Sequence, residues 1–106
     1  MTTFDFGAGP VPAHRHVNPD GSEGGWVADT ATVYPSATVD PSAKVFGNAW
    51  VFGNAWVYGN AKVFGTAWVS GTARVFGNAW VFGNAWVSGT ARVYGNARVA
   101  EGEVTS

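Results

Sequence analysis

A valine occupies every sixth position through most of this 106-residue chain, and no other feature constrains its fold as strongly. Alanine holds a second position of the same period, from Ala31 to Ala97. The unit reads V-[F/Y/S]-G-[N/T]-A-[W/K/R], with Pro35 and Pro41 where later units have glycine. This regularity predicts one short structural unit that is repeated many times. The valines are Val27, Val33, Val39, Val45, Val51, Val57, Val63, Val69, Val75, Val81, Val87, Val93 and Val99.

The period of six excludes an α-helix and favours short β-strands. Six residues do not fit a helical turn of about 3.6, and both glycine and valine are poor helix formers. Trp50, Val51 and Phe52 are residue types that favour strands. The Gly53-Asn54 pair suits a corner, because glycine and asparagine tolerate unusual backbone angles. A strand and a corner, repeated, are expected to coil into a solenoid in which each coil hydrogen-bonds to the next.

The repeat resembles that of the hexapeptide-repeat proteins, whose unit is [LIV]-[GAED]-x-x-[STAV]-x. The resemblance covers residues 26–99, and the segment VYPSATVDPSAKV from Val33 to Val45 is similar to the first coil of many members. It implies an all-β, single-domain, left-handed parallel β-helix of triangular section, with about 18 residues per coil and about four coils. The chain departs from the family pattern by placing Phe or Tyr after many core valines.

Composition divides the chain into three parts. Residues 1–25 are rich in glycine and proline and are expected to form an irregular N-terminal cap or arm. Residues 26–100 carry the repeat, and residues 101–106 break it with Glu101 and Glu103. We expect this last segment to be a C-terminal cap, because charge on an open sheet edge discourages pairing with another chain.

The alternation of side chains along a strand predicts which residues form the core. If Val51 points inward, then Trp50 and Phe52 both point outward. The opposite arrangement would place several rings per coil inside a narrow prism, which a close-packed interior has no room for. We therefore expect valine and alanine to form the core and all aromatic residues after position 25 to lie on the surface.

Residues 18 apart then stack about 4.8 Å from one another and form ladders on three faces. The first face is centred on Val27, the second on Val33 and the third on Val39, each with the valines that follow at intervals of 18. The predicted binding or interface residues are the rings Phe46, Phe64 and Phe82 on the first face, Trp50, Trp68 and Trp86 on the second, and Tyr58, Phe76 and Tyr94 on the third.

The basic residues are concentrated in the repeats. Residues 41–100 contain five bases and no acid, although the net charge of the chain is −1. We interpret the bases as a solubilising fringe, with contact to an anionic polymer as the alternative. No nucleic-acid-binding module is recognisable, so nucleic acid is not expected as a partner. The five are Lys44, Lys62, Arg74, Arg92 and Arg98.

His14 and His16 are the only histidines of the chain and lie outside the repeats. Two residues at i and i+2 of an extended segment face the same side. A trimer could bring six imidazoles to one iron or zinc ion on its axis, an arrangement that resembles the HxH tips of phage tail spikes. The alternative, which we favour, is a polar loop of the cap without a metal or other cofactor.

The composition of the repeats argues against an enzyme. Acyltransferases that share the implied fold use a catalytic histidine, and carbonic anhydrases that share it hold zinc with three histidines. Here the hexads are uninterrupted by any loop and contain no histidine, and the whole chain has no cysteine. A general base that titrates near neutral pH is therefore missing from the repeats. A hexapeptide-family acyltransferase is kept as an alternative.

We therefore expect a non-catalytic structural or adhesive β-solenoid. The resemblance implies a homotrimer and, by similarity to spike and fibre repeats, a phage virion component such as a spike, fibre or decoration module that contacts other virion proteins. A carbohydrate-binding module that stacks surface glycans on exposed rings is the alternative. The sequence shows no signal peptide and no membrane-spanning segment, which predicts synthesis in the cytoplasm followed by incorporation into a virion, or otherwise a cytoplasmic protein.

Overall fold

The computed structural model describes residues 2–105, which form sixteen strands. Met1 and Ser106, the outer limits of the predicted arm and C-terminal cap, lie outside the described residues. The strands are β1 Thr3–Asp5, β2 Pro10–Val17, β3 Glu23–Ala28, β4 Thr32–Val33, β5 Thr38–Val39, β6 Lys44–Val45, β7 Trp50–Val51, β8 Trp56–Val57, β9 Lys62–Val63, β10 Trp68–Val69, β11 Arg74–Val75, β12 Trp80–Val81, β13 Trp86–Val87, β14 Arg92–Val93, β15 Arg98–Val99 and β16 Glu103–Val104.

The repeat folds as predicted into short parallel strands joined by corners. From β4 to β14 each hexad contributes a two-residue strand that ends on the core valine, and the chain then turns at a Gly-Asn, Gly-Thr or Pro-Ser pair. Successive coils are joined by backbone hydrogen bonds, such as those from Trp50 N to Ala67 O and from Phe52 N to Val69 O, both 2.9 Å long. The strands in the interior of the solenoid thus have partners in the coil before and the coil after, whereas β4, β5, β14 and β15 have a partner in one neighbouring coil only.

Three sheets correspond to the three predicted faces. The first face contains β3, β6, β9, β12 and β15, the second β4, β7, β10, β13 and β16, and the third β5, β8, β11 and β14. Within the repeats the register is 18 residues, as in the pairing of Trp50 with Trp68 and of Val51 with Val69. An all-β solenoid of about four coils with 18 residues per coil is therefore confirmed. Its left hand stays a prediction.

The core consists of the repeat valines and alanines, as predicted. From Val39 to Val81 every core valine and alanine has 0 % of its surface exposed. The side chains of valine and alanine together fill the interior of the coil, so no aromatic ring is needed there. The aromatic residues after position 25 lie outside this cluster, at half-buried or exposed positions.

The N-terminal arm is more regular than the sequence suggests. Strands β1 and β2 pair antiparallel, and β2 then pairs antiparallel with β3, which is the first strand of the first face. Strand β3 begins at Glu23, so the predicted boundary at residue 25 falls inside it. The arm therefore extends the sheet of the first face by two antiparallel strands, β1 and β2, beyond the first coil.

The side chains of β2 and the loop after it also cap the third face. The Asn18 side-chain oxygen accepts a hydrogen bond from Val39 N at 2.9 Å, and His16 Nε2 donates to Ala37 O at 2.8 Å. Both side chains are buried. They satisfy backbone groups at the edge of β5 that a preceding coil would otherwise bind.

The C-terminal segment continues the solenoid instead of only ending it. Strand β16 pairs with β13 and places Glu103 beside Trp86 and Val104 beside Val87, a register of 17 residues instead of 18. The step from Val99 to Val104 is one residue shorter than a hexad, and for this reason the sequence pattern appears broken there. The predicted cap at residues 101–106 therefore includes a further strand of the second face.

Hydroxyl groups span neighbouring coils at several corners. Thr66 Oγ1 donates to Gly83 O at 2.7 Å, and Thr72 Oγ1 donates to Gly89 O at 3.1 Å. Stacked asparagines such as Asn60 and Asn78 form no side-chain hydrogen bond with each other in the described structure, although an asparagine ladder would provide one.

Within residues 2–105 there is no helix at all, and hence none long and apolar enough to cross a bilayer.

Candidate interaction surfaces

The predicted aromatic ladders form on all three faces. On the first face Phe46 and Phe64 stack with centroids 4.8 Å apart and planes 3° from parallel, and Phe82 follows at 5.1 Å. On the third face Tyr58 lies 4.8 Å from Phe76, which lies 5.3 Å from Tyr94. The distances match the spacing of the strands that carry the rings, so the ladders follow directly from the 18-residue register.

The second-face ladder consists of three indoles. Trp68 and Trp86 are 4.8 Å apart and 2° from parallel, and Trp50 lies 5.7 Å from Trp68 with a 22° tilt. Trp50 is 38 % exposed and Trp86 is 44 % exposed. Because each ring covers part of the face of the next, the ladder presents mainly ring edges to solvent.

This geometry bears on the carbohydrate alternative. A sugar ring stacks on an open aromatic face, and an isolated ring offers two such faces. Trp68 has a stacked ring on each side, which leaves its edge as the accessible part. The ladder therefore suits contact with another ridged apolar surface better than it suits stacking on sugars.

The arm adds two rings that sequence reasoning missed. Phe6 stacks on Phe46 with centroids 4.8 Å apart, and Phe4 stacks on Trp26 at 4.9 Å. The first-face ladder therefore runs from Phe6 through Phe46 into the repeats. The signal for this contact is the F-D-F alternation at residues 4–6, which places both rings on one side of a strand.

The basic residues of the repeats stack on rings in neighbouring coils. Trp80 lies between Lys62 Nζ, 5.2 Å from the ring centroid, and Arg98 Cζ, 4.4 Å from it. Arg74 Cζ lies 5.3 Å from the Trp56 centroid. These cations occupy ladder positions in place of rings, and each such contact contributes about 0.5–1 kcal/mol at an exposed site. Their spacing is thus explained by the repeat itself.

The remaining two members of the basic set also follow the repeat. Lys44 Nζ lies 5.8 Å from the centroid of Phe4 in the arm. Arg92 pairs in register with Arg74 on the third face. As a result, the first and third faces carry rows of positive charge beside their rings. The second-face strands β4, β7, β10 and β13 contain no charged residue.

The two histidines have separate partners. His14 is exposed, and its Nδ1 lies 2.8 Å from Asp29 Oδ1. His16 is buried, and burial lowers its pKa; the hydrogen bond to Ala37 O opposes this shift in part, and His14 adds a smaller lowering of the pKa. In the part of the chain that the structure describes, no group of three or more His, Asp or Glu side chains is arranged to hold a metal ion. An iron or zinc site at His14 and His16 stays the less favoured alternative, and it would need His16 to coordinate through Nδ1 or to release Ala37.

The His14–Asp29 pair is also where the acyltransferase alternative would reside. Asp29 borders a groove of about 320 Å³ between the arm and the first coil, whose other walls include Phe6, Val11 and Phe46. A carboxylate that orients an imidazole is a common arrangement for a general base. The walls are mostly hydrocarbon, and the Thr30 hydroxyl in the same groove already donates to Gly47 O.

Comparison with known families agrees with the fold of the C-terminal coils. Residues 73–89 and 91–105 match the family model described as the YdcK beta solenoid repeat. The matched segments extend through β16, so the similarity includes the shortened step after Val99. Comparison with curated proteins and with solved structures gave no match. The chain is thus similar to a β-solenoid repeat family over its C-terminal part, and the wider resemblance to hexapeptide-repeat proteins stays a prediction.

Proposed function

We propose that this chain is a non-catalytic structural β-solenoid that works by associating with further copies of itself. The observation that carries the proposal is the composition of its surface: all three faces bear continuous stacks of large rings, while the core needs none of them. Monomeric proteins rarely expose contiguous apolar patches of this extent. Self-association covers such patches without requiring a second gene product.

The repeat distance of the ladders supports a second copy of the same chain as the partner. The rings of each ladder repeat about every 4.8 Å along the solenoid, and an identical ladder on another copy has the same spacing. Two such surfaces can pack side by side in register over their whole height, whereas a surface without this repeat would match at few points. The solenoid also has little freedom to deform, because every coil is hydrogen-bonded to its neighbours.

The resemblance to hexapeptide-repeat proteins adds a biological setting to this proposal. It favours a homotrimer that serves as a rigid spike, fibre or decoration module of a virion, with adhesive contacts at its surface. The absence of acids and histidines from residues 41–100 supports a role without catalysis.

Sedimentation velocity of the purified chain across a series of concentrations tests the proposal. We expect an oligomer whose population grows with concentration. A monomer at every concentration up to the solubility limit would contradict self-association. Transfer from an acyl-CoA donor that disappears in the His14→Ala variant would contradict the non-catalytic role.

A further inference from the structure

We infer that the second face is the surface through which two copies associate, by means of a ridge that enters a groove of the other copy. The inference deepens the proposed self-association and rests on it. The ridge is the stack of Trp50, Trp68 and Trp86, and the groove is the adjacent row at Ser70 and Ser88, which we call the serine groove.

The serine groove exists because, between Val45 and Tyr94, this face alone lacks a ring after some of its core valines. The position after the core valine carries Phe46, Phe64 and Phe82 on the first face and an unbroken series of rings on the third from Tyr58 onward. On the second face it carries Ser70 and Ser88 in two consecutive coils. A small side chain between tall neighbours leaves a recess beside the ridge.

The recess leaves the flank of Trp86 without a neighbouring ring. Trp80, on the first face, is flanked by Phe82 at 6.4 Å and by Phe64 at 5.5 Å, and it is half-buried. Trp86, one hexad later, is 44 % exposed, and among the described residues its single ring contact is Trp68. Its flank is open where Ser88 replaces a phenylalanine, and it is therefore the part of the ladder that another surface can cover.

Charge selects the second face over the other two. Burying the first or third face between two copies would remove a row of lysine or arginine side chains from water, which is unfavourable. The arm already packs its rings on the first face at Trp26 and Phe46. Between Thr32 and Trp86 the strands of the second face carry no charge, and Glu103 at its end is the first charged residue of its strands.

A two-fold axis parallel to the solenoid matches ridge and groove. Such an axis keeps equivalent coils at the same height and reverses the strand direction, so that Trp68 and Trp86 of each copy lie opposite Ser70 and Ser88 of the other. The interface uses the same patch on both copies, as two-fold symmetry requires, whereas a ring of three needs two different patches per copy. One neutral grooved face therefore predicts a dimer as the basic unit, in place of the homotrimer that the resemblance to hexapeptide-repeat proteins implies.

The size of the face sets the expected strength. Five strands at about 4.8 Å and about five residues across at about 3.3 Å give roughly 400 Å² per copy. An interface of about 800 Å² in total is smaller than the roughly 1,200–2,000 Å² of stable specific complexes and has the size of a weak, transient contact. Association through the second face alone is therefore expected to be reversible and to depend on concentration.

The double variant Ser70→Phe/Ser88→Phe tests this directly. Both substitutions restore the V-F-G sequence of other hexads and extend the ring row that begins at Tyr34 and Phe52, so the variant is expected to fold. The two phenylalanines fill the serine groove, so that the tryptophan ridge of the other copy can no longer enter it. We therefore expect the dissociation constant of the dimer to rise at least about tenfold. Ala100→Phe adds the same ring beside Phe82 on the first face and is the matched control, with an expected dissociation constant unchanged from the wild type.

A second variant protects the test against a folding defect. Trp86→Arg places a charge on an exposed position of the same face and is expected to abolish the dimer, with an unchanged far-ultraviolet circular dichroism spectrum. A wild-type dimer that both second-face variants disrupt supports the inference. An oligomer that persists in the folded double variant, or a wild-type trimer, overturns the inference and leaves the proposed self-association intact. A wild-type monomer overturns both.

Discussion

His16 and Ala37 are joined by a hydrogen bond of 2.8 Å from the imidazole Nε2 to the backbone carbonyl, although they lie 21 residues apart in the chain. The imidazole is buried between the arm and the first coil, beside Asn18, whose side chain binds the neighbouring strand. This contact fixes the arm to the edge of the third face. It also places an imidazole, whose pKa burial lowers from its ordinary value, at the end of the solenoid.

The stability of the protein should fall with pH below about 6.5 because of His16. Burial lowers the pKa of His16 in the folded state, so the unfolded chain binds a proton that the folded chain does not. The contribution of neutral His16 is therefore complete above the unfolded pKa and is lost as the pH falls toward the folded pKa. Urea denaturation between pH 5 and pH 8 measures the effect.

The His16→Gln variant provides the control, because glutamine can donate to Ala37 O but does not titrate. We expect its unfolding free energy to vary less over the same pH range than that of the wild type. His14→Gln, at the exposed neighbouring position, should keep most of the wild-type slope below pH 6.5, because burial is the largest cause of the lowered pKa of His16. A slope that is identical in all three proteins would show that His16 does not control the acid sensitivity.

Gly65→Ala should destabilise the protein more than Gly95→Ala does. Both glycines have positive φ, of 70° and 66°, so alanine pays about 1–2 kcal/mol for the left-handed conformation at either site. A Cβ at Gly65 would in addition lie 2.7 Å from Gly83 N in the next coil, whereas a Cβ at Gly95 meets no atom within 4 Å. Chemical denaturation should show a total loss of about 2–4 kcal/mol for Gly65→Ala. Equal losses would mean that the corners can separate to accommodate a methyl group.

Trp80→Ala should cost more stability than Trp86→Ala. Trp80 is half-buried and stacked between Lys62 and Arg98, and its removal loses two cation–π contacts as well as apolar burial, in all about 2–3 kcal/mol. Trp86 is more exposed, and we expect a loss of about 1 kcal/mol in the monomer. Thermal unfolding at a concentration below that of dimer formation separates the two. A larger loss for Trp86→Ala would indicate that the cations do not stabilise the first face.

The sequence alone predicts the solenoid well because one register determines nearly all of its contacts. Once Val51 is placed inward, the ladder of Trp50 and Trp68 follows from the 18-residue coil, and the structure confirms it. The exposed flank of Trp86 is also encoded, since Ser88 stands where other hexads have a ring. Its significance depends on which face carries charge, and this becomes clear only when the three faces are compared.

The arm and the last strand could not be predicted in the same way. The contacts of Phe6 with Phe46 and of His16 with Ala37 join segments that do not share a repeat, so no period reveals them. Strand β16 was missed because a five-residue step from Val99 to Val104 breaks the pattern while leaving the backbone able to pair. Periodicity identifies what is repeated, and the ends of a solenoid are by nature what is not repeated.

Phe6→Ala should loosen the N-terminal arm and leave the coils unchanged. The ring of Phe6 stacks on Phe46 and contacts Phe4, and these contacts contribute about 1 kcal/mol to holding β1 against the first face. The amide of Ala13, which donates to Thr2 O at 3.0 Å, should then exchange with solvent about fivefold faster. The amide of Phe64, which donates to Val81 O at 2.9 Å within the repeats, should keep its wild-type rate. Val11→Ala, in the strand opposite Phe4, removes an exposed side chain outside the ladder and is the control, because a similar acceleration there would mean that strand pairing, and not ring stacking, holds the arm in place.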